Sequence, residues 1–461
     1  MTRRKMLLGL GSGASLALLA ACGTATTMTD EAPAAAEETE AKAEEQPAAP
    51  ETYEIRVFTT ATWDLSQGIG LEVVQELEEA NPGITVNATA ESGNRMDKMV
   101  TAVAAGFGLD VGQAGSWQSQ TLAVLKVPHG LDSYMAASDV IKKEEIWESL
   151  RGDLEWKGVV HGMPFGPDIR FLYVGNKAYL DAGLDPENPP ASWTDLEDAI
   201  STLYTVSGDK IEKLGFDPLR GTGGNHLWMV PMWQLGGDTT SPEGLVTLDT
   251  PEAEEALNWQ KRNIYDAQGG YNQVLDFWGE AARYPAYFQP FFQGVVGNMH
   301  LTNSERATQI WPNSPDFEFS FGPYPVPEGG RQAGYGGCHT WFLTVDSPDP
   351  EKGWKFLEHF GSAGVNVRWA QHFDRLPIRA DVANDEEYHQ GDEFVLFAAN
   401  MMQHRKFVIP LPGAPQVLSF VNGFVPDVMA GNRTIPEALK EAEEQVQTIL
   451  DDFLAEHGET R

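Results

Sequence analysis

The chain has 461 residues, 42% of them apolar and 10% aromatic, and its 32 basic against 67 acidic side chains give a net charge of −35. Such a charge repels nucleic-acid backbones and anionic lipid heads, so neither is an expected partner. The length exceeds what one hydrophobic core normally serves, and two lobes are expected.

The chain opens like an export signal. Arg3, Arg4 and Lys5 precede an apolar run from Met6 to Ala20, which is shorter than the ~20 residues a permanent membrane helix needs. Leu19-Ala20-Ala21-Cys22 follows and resembles the lipobox of bacterial lipoproteins. That resemblance implies cleavage before Cys22 and a diacylglyceryl group on its thiol, so 1–22 reads as a lipoprotein signal peptide. Thr2-Arg3-Arg4-Lys5-Met6-Leu7 loosely resembles a twin-arginine export motif, although paired arginines also suit ordinary secretory signals. Residues 23–52 are dominated by Ala, Glu, Pro and Thr and carry no aromatic side chain. They cannot bury enough apolar surface to offset the entropy of ordering, so an acidic disordered linker is expected. With Cys22 lipidated, Cys338 is the only thiol left of the two cysteines, and no internal disulfide is possible.

Periodic apolar pattern begins at Tyr53. Glu54-Ile55-Arg56-Val57-Phe58-Thr59 alternates as a strand does, and Leu71, Val74, Leu77 and Glu78 fall at helical spacing up to Ala80. Asn81-Pro82-Gly83 stops that helix, and Ile84-Thr85-Val86 starts a second strand. A helix over Met96 to Ala105 and a short strand at Leu109-Asp110-Val111 complete a β-α-β-α-β order. This predicts a mostly parallel sheet covered by helices on both faces, with ligands held beyond the carboxyl ends of the strands. The loops expected there are Ala61-Thr62-Trp63-Asp64 and Gly115-Ser116-Trp117-Gln118. Each sets an aromatic plate beside a polar side chain, a pairing suited to sugar rings with their apolar C–H faces and hydroxyl rims.

Further segments extend the pattern: Glu79 to Val86, Gly106 to Val111, Trp156 to Pro164, Phe171 to Lys177 with Ala182 to Pro186 and Ser192 to Leu196, Phe292 to Met299, Gly336-Gly337 with Phe342 to Val345, and Leu376 to Arg379 with Gly431 to Leu439. In this order they resemble the extracellular solute-binding proteins of ABC importers, in the group related to maltose-binding protein. Leu109 stands where the family usually has Pro, and Asn298 where it usually has Ala.

The resemblance implies an α/β, two-lobed fold of the periplasmic-binding-protein kind (type II) with the ligand cleft between lobes. The first lobe is expected over 53–165 plus 331–376 and the second over 166–330 plus 377–461. Crossings are expected near Gly166-Pro167, Gly329-Gly330 and Leu376-Pro377. It also carries site residues over by position. Trp63 and Asp64 match the first ligand loop, and Ser116 and Trp117 the loop after the Asp-Val strand. Asp168 and Arg170 sit at the first crossing, where a carboxylate either accepts sugar hydroxyls or braces the hinge as a salt bridge. Asn225, His226 and Trp233 lie where the second lobe sends contacts. Trp228 and Trp233 cannot both face the cleft easily, and Trp233 is favoured. Tyr335 and His339 flank the Gly336-Gly337 pair, and Phe420 lies near a second-lobe aromatic platform.

A carbohydrate-active enzyme is the rival reading, since aromatic clefts with paired carboxylates also occur in glycoside hydrolases and lyases. No Gly-x-Ser-x-Gly elbow lies outside the signal, and no His-Glu-x-x-His, Walker loop or EF-hand loop is present. Cys338 and His339 are neighbours on an expected strand and point to opposite faces, which does not suit a nucleophile and its base. The expectation is therefore a non-enzymatic receptor without cofactor or metal, monomeric, and lipid-anchored outside the cell membrane. It would capture a small solute, foremost a mono- or oligosaccharide, and deliver it to ABC permease subunits. A solute sensor built on the same fold stays open.

Overall fold

A computed structural model describes residues 52–220, 226–280, 288–407 and 411–461. Cys22, the signal and linker segments up to 51, and Asn225 lie outside the described residues. No helix among the described residues is long and apolar enough to cross a membrane.

The strands in chain order are β1 (Tyr53–Thr59), β2 (Ile84–Ala90), β3 (Val111–Gly115), β4 (Glu155–Trp156), β5 (Val159–Val160), β6 (Met163–Pro167) and β7 (Arg170–Gly175). They continue with β8 (Thr205–Ser207), β9 (Lys210–Asp217), β10 (Val296–Thr302), β11 (Phe319–Gly322), β12 (Gly334–Tyr335), β13 (Cys338–Leu343) and β14 (Arg405–Lys406). Two five-stranded sheets organise the chain, in the orders β2-β1-β3-β13-β6 and β11-β7-β10-β9-β8.

In the first sheet β1 lies parallel to β2 and β3, and β13 runs antiparallel between β3 and β6. Ile55, Val57 and Thr59 turn inward, as the alternation predicts. The helix Gly68–Ala80 buries Gly70, Val73, Val74 and Leu77. Leu71 is left exposed, because the face set by Val74 and Leu77 continues through 70 and 73 in a 3.6-residue period. Asn81 stops this helix, its N–H turned back to Leu77 and Glu78. The third strand starts at Val111, later than the alternation suggests. Asp110 is used instead as a buried brace that accepts from Tyr53 Oη at 2.6 Å and from the Arg56 N–H at 2.8 Å.

In the second sheet β7 and β10 are antiparallel and β9 and β10 parallel. Every residue of β10 is buried, which fits a central strand covered on both faces. On one face of β7 Phe171 and Tyr173 stack at 5.2 Å and meet Phe394 edge-on.

The chain passes from the first sheet to the second at Asp168-Ile169, just after Gly166-Pro167, and returns at Gly336-Gly337. The return falls several residues beyond Gly329-Gly330, because Arg331 is still tied to the second-sheet side by bonds to the Gln234 and Trp233 carbonyls, both 2.9 Å. The two passes run side by side. Asp168 N–H donates to the Gly337 carbonyl at 3.0 Å, and Gly337 N–H donates to Asp168 Oδ1 at 2.9 Å. Leu376 N–H joins them through the Pro167 carbonyl at 3.0 Å. Pro377 stays with the first sheet, its carbonyl accepting from Trp147 Nε1 at 2.8 Å. Contact with the second sheet comes at the helix Glu393–Met401, which carries Phe394.

Gly336 is needed where it stands: a Cβ would lie 2.4 Å from the Asp168 carbonyl oxygen and 2.8 Å from Arg405 Cγ. At Gly337 the nearest atoms would be 3.6 Å away, an ordinary contact. Gly336→Ala is therefore expected to lower stability by about 1–3 kcal/mol, as overpacking does, and Gly337→Ala by much less. Urea denaturation of both variants checks the contrast.

Candidate functional site

The carboxyl ends of the parallel strands β1, β2 and β3 share one edge of the first sheet. His339 joins that edge, opposite Gly115 on β3 and Gly166 on β6. The corresponding edge of the second sheet is set by the end of β10 and the start of β7, where Thr302 pairs with Arg170. Both edges therefore border the crossing strands, and most of the candidate residues gather there.

Trp63 is buried after β1, its carbonyl held by Thr59 Oγ1 at 2.8 Å. Its ring meets His339 at 4.7 Å, Phe373 at 4.8 Å and Phe165 at 5.6 Å, and the Arg375 guanidinium lies over it at 5.6 Å. The ring is thus a packed base for other cleft groups and not an open plate. Asp64 is engaged locally, accepting from Ser66 N–H, Ser66 Oγ and Gln67 Nε2 at 2.7–2.8 Å. The Ser66 bonds hold its carboxyl below the usual carboxylate range.

Ser116 is fully buried, and its Oγ donates to Asp153 Oδ2 at 3.1 Å. Asp153 also pairs with the buried Arg405, which donates to the Ser149 carbonyl as well. Burial drives the Asp153 carboxyl upward against the pull of Arg405. Trp117 is partly buried. Its ring fills space that a Cβ on Gly115 would need, 2.2 Å away, and it stacks on Phe407 at 5.6 Å with a 12° tilt. Phe407 meets Tyr335 at 5.8 Å, and Tyr335 meets His226 at 5.9 Å. A continuous aromatic wall thus runs from the loop after β3 to the crossing strands. Phe407 has no signal in the sequence, since the pairing of β12 with β14 that places it joins distant segments.

Asp168 is the hub of the crossing. Its Oδ1 accepts from Arg170 Nη1 at 2.8 Å as well as from Gly337, and its Oδ2 accepts from Arg375. Burial pushes this carboxyl up, but the two guanidiniums and the Gly337 N–H outweigh it and hold the group well below the usual carboxylate range. Arg170 lies 4.0 Å over the Tyr335 ring, a cation–π contact. Of the two roles open for Asp168 and Arg170, the geometry shows the brace. His339 is kept neutral by burial and by Arg375. Gln113 Nε2 lies 3.0 Å from its Nδ1, and an amide N–H there leaves the ring proton on Nε2.

Arg95 is a further cation, which motif reasoning did not single out. Arg95 opens the helix Arg95–Ala104 that follows β2. It is partly buried, and its side chain makes no hydrogen bond or ion pair among the described residues. Burial lowers its pKa with no carboxylate to offset it.

Two expected contacts sit elsewhere. Trp233 is fully buried, as is Trp228, because all six residues of the helix Met229–Gln234 face the core. Helical spacing separates two faces only when one of them meets solvent, and here neither does. Phe420 is 42% exposed on the helix Ala414–Gly423 and lines a surface groove with Phe424, Asp427, Arg433 and Glu441. None of these residues belongs to the crossing cluster. Cys338 is buried with its thiol pushed up to about 12 by burial, which makes it inert as a nucleophile. No group of His, Cys, Asp and Glu that could hold a metal occurs among the described residues.

The family described as bacterial extracellular solute-binding protein matches residues 72–395. A binding protein of Brucella abortus (strain 2308) is 25% identical over 406 residues, covering 86% of this chain and 93% of its own. The sn-glycerol-3-phosphate-binding periplasmic protein of Escherichia coli (strain UTI89 / UPEC) is 22% identical over 322 residues, 64% of this chain and 68% of its own. Among solved structures, the sugar-binding protein MalE of Xanthomonas citri superposes with a TM-score of 0.73 at 17% identity, over 89% of this chain and 100% of that one. An ABC transporter solute-binding protein of Thermotoga lettingae bound with alpha-D-tagatose gives 0.71 at 22%, over 87% and 100%. At these identities the structural likeness speaks for the fold, two α/β lobes joined by crossing strands, while the family match spans most of the chain. The chain belongs to the bacterial extracellular solute-binding proteins, a family of binding proteins and not of enzymes.

Proposed function

We propose that this receptor captures a mono- or oligosaccharide between its two lobes and hands it to a permease pair in the cell membrane. The observation that carries this reading is the aromatic wall Trp117–Phe407–Tyr335, set where the carboxyl edges of both sheets border the crossing strands. Aromatic faces match the C–H faces of sugar rings, and the amide and imidazole of Gln113 and His339 supply hydrogen bonds beside them. Relatives that bind tagatose or are named sugar-binding support the same class. Closure requires only that the ligand touch both lobes in one state and fewer groups in the other. In this reading the protein acts as a monomer, Cys22 carries the lipid anchor, and residues 23–52 give the tether its reach.

A thermal-shift screen of residues 53–461 against saccharides, polyols, amino acids and peptides, with product analysis of every hit, tests the reading. A stabilising sugar recovered intact supports it. Stabilisation by amino acids or peptides alone overturns the carbohydrate assignment. Phe407 covers one face of Trp117, so a sugar that stacks on that face exchanges one contact for another. Trp117→Ala is expected to weaken binding of the stabilising sugar by about 1–3 kcal/mol while the chain stays folded. Calorimetric titration measures this, and unchanged affinity removes Trp117 from the site.

A further inference from the structure

The cleft edge holds guanidiniums that its carboxylates do not fully pair, within a chain whose net charge is −35; Asp64, the ionised carboxylate on the same edge, is taken up by Ser66 and Gln67 and makes no salt bridge to them. Asp168 serves both Arg170 and Arg375, so one negative charge answers two positive ones. The Nε atoms of Arg170 and Arg375 are buried with no hydrogen-bond partner. Arg95 adds a third guanidinium. It lies in the connection after β2, the strand whose carboxyl end adjoins that of β1 at the edge carrying Trp63 and Trp117: Thr59 pairs with Ala90, and the Glu91 N–H donates to the Thr59 carbonyl at 2.8 Å. The neighbouring cation Lys98 is paired with Glu91, whereas Arg95 has no ion-pair partner among the described residues. Glu305 is the other carboxyl facing Arg170 and Arg375. Burial pushes it toward its neutral form, so it offsets little of the excess. Arg405 does not enter the count, being matched by Asp153.

A partly desolvated guanidinium without a carboxylate costs stability unless something at the site repays it. We propose that the repayment comes from the solute: the captured saccharide carries an oxyanion, foremost a carboxylate as in a hexuronate, and Arg95 is its charge partner. This rests on the saccharide reading and names the class within it. A planar guanidinium fork matches a carboxylate bidentately. A small positive region inside a strongly acidic surface also focuses field lines on the cleft mouth, so selectivity for an anion does not require the whole protein to be basic.

Matched pairs decide it: glucuronate against glucose, galacturonate against galactose, and digalacturonate against a neutral disaccharide, with glucose 6-phosphate as the phosphate arm. Each is titrated calorimetrically at low and high salt. The expected result is binding by the charged member of a pair, weakened by salt. Arg95→Gln should lower that affinity about 10- to 100-fold without lowering the ligand-free melting temperature, since an unpaired charge is removed. Binding of glucose 6-phosphate and not of the uronates keeps the oxyanion and overturns the carboxylate. Preference for the neutral members overturns the proposal and leaves the saccharide reading intact. So does a lower ligand-free melting temperature for Arg95→Gln with unchanged affinity, which makes Arg95 structural. No binding by any member of the panel overturns it too, and stabilisation by amino acids or peptides alone in the thermal-shift screen removes the parent reading as well.

Discussion

Asp168→Ala is expected to destabilise the protein by about 3–5 kcal/mol, the range seen when one partner of a buried ion pair is removed. The loss is large because Asp168 is 5% exposed and its two oxygens answer three donors, Arg170, Arg375 and the Gly337 N–H. Removing the carboxylate leaves two guanidiniums buried beside each other. Asp168→Asn should lie between wild type and alanine, since its amide oxygen can still accept from Arg170 and the Gly337 N–H while the Arg375 contact and the charge are lost. Urea denaturation reads the change as a shift in midpoint at constant slope. The pH dependence gives a second check. The folded-state pKa of Asp168 is depressed, so its stabilisation is fully present above its unfolded pKa of about 4 and is lost as pH falls through the folded value. The stability gap between wild type and Asp168→Asn should therefore hold from neutral pH to about pH 4 and narrow below it. A gap that does not change with acidification would show that the carboxylate's charge is not what holds the crossing.

Arg306→Ala is the second large effect, also about 3–5 kcal/mol. Arg306 donates Nε and Nη2 to the two Asp374 oxygens at 2.8 and 2.9 Å and reaches Asp392 at 2.7 Å. Its guanidinium lies 4.1 Å over Phe394 and 4.8 Å over Trp311. Asp374 has a φ of 49°, a left-handed conformation uncommon outside glycine. Besides Arg306, an Asn303 amide bond to its carbonyl holds it there. Without Arg306, buried Asp374 loses its cation, and the left-handed turn loses the bidentate pair that helps to hold it. Arg306→Lys should recover only part of the stability, because an ammonium cannot make the bidentate pair. Asp374 precedes Arg375, the Asp168 partner, so the Asp168 and Arg306 effects should not add. A double-mutant cycle with a coupling above about 0.5 kcal/mol is expected.

Local features were legible in the sequence, and features closed by distant residues were not. Strand β1, the Asn81 stop and the helix beginning near Met96 follow from period, breaker and cap. So does the placing of Trp63 and Trp117 after parallel strands, because the βαβ order fixes which end of a strand carries the loop. The state of those rings did not follow. Trp63 is covered by Phe373 and Arg375 and Trp117 by Phe407, residues hundreds of positions away. The double duty of Asp168 shows the same limit: Arg170 stands two residues on, but the closing of Arg375, which lies two residues past the helix Ala363–Phe373, onto the same carboxylate is a contact between positions 207 apart. Trp233 was misplaced for a different reason. Helical spacing distinguishes faces only for a helix that has a wet side, and Met229–Gln234 has none.

Cys338 has a practical consequence. The chain carries two cysteines, and a fragment beginning at residue 53 retains only this one, buried at the start of β13 with its thiol pushed up to about 12. A maleimide dye would pass it by at neutral pH. A cysteine installed on the lip of the cleft would then be the sole site of labelling, and its fluorescence would follow lobe closure without any native thiol having to be removed. The receptor is in that respect ready-made as an optical sensor for whatever solute it takes up.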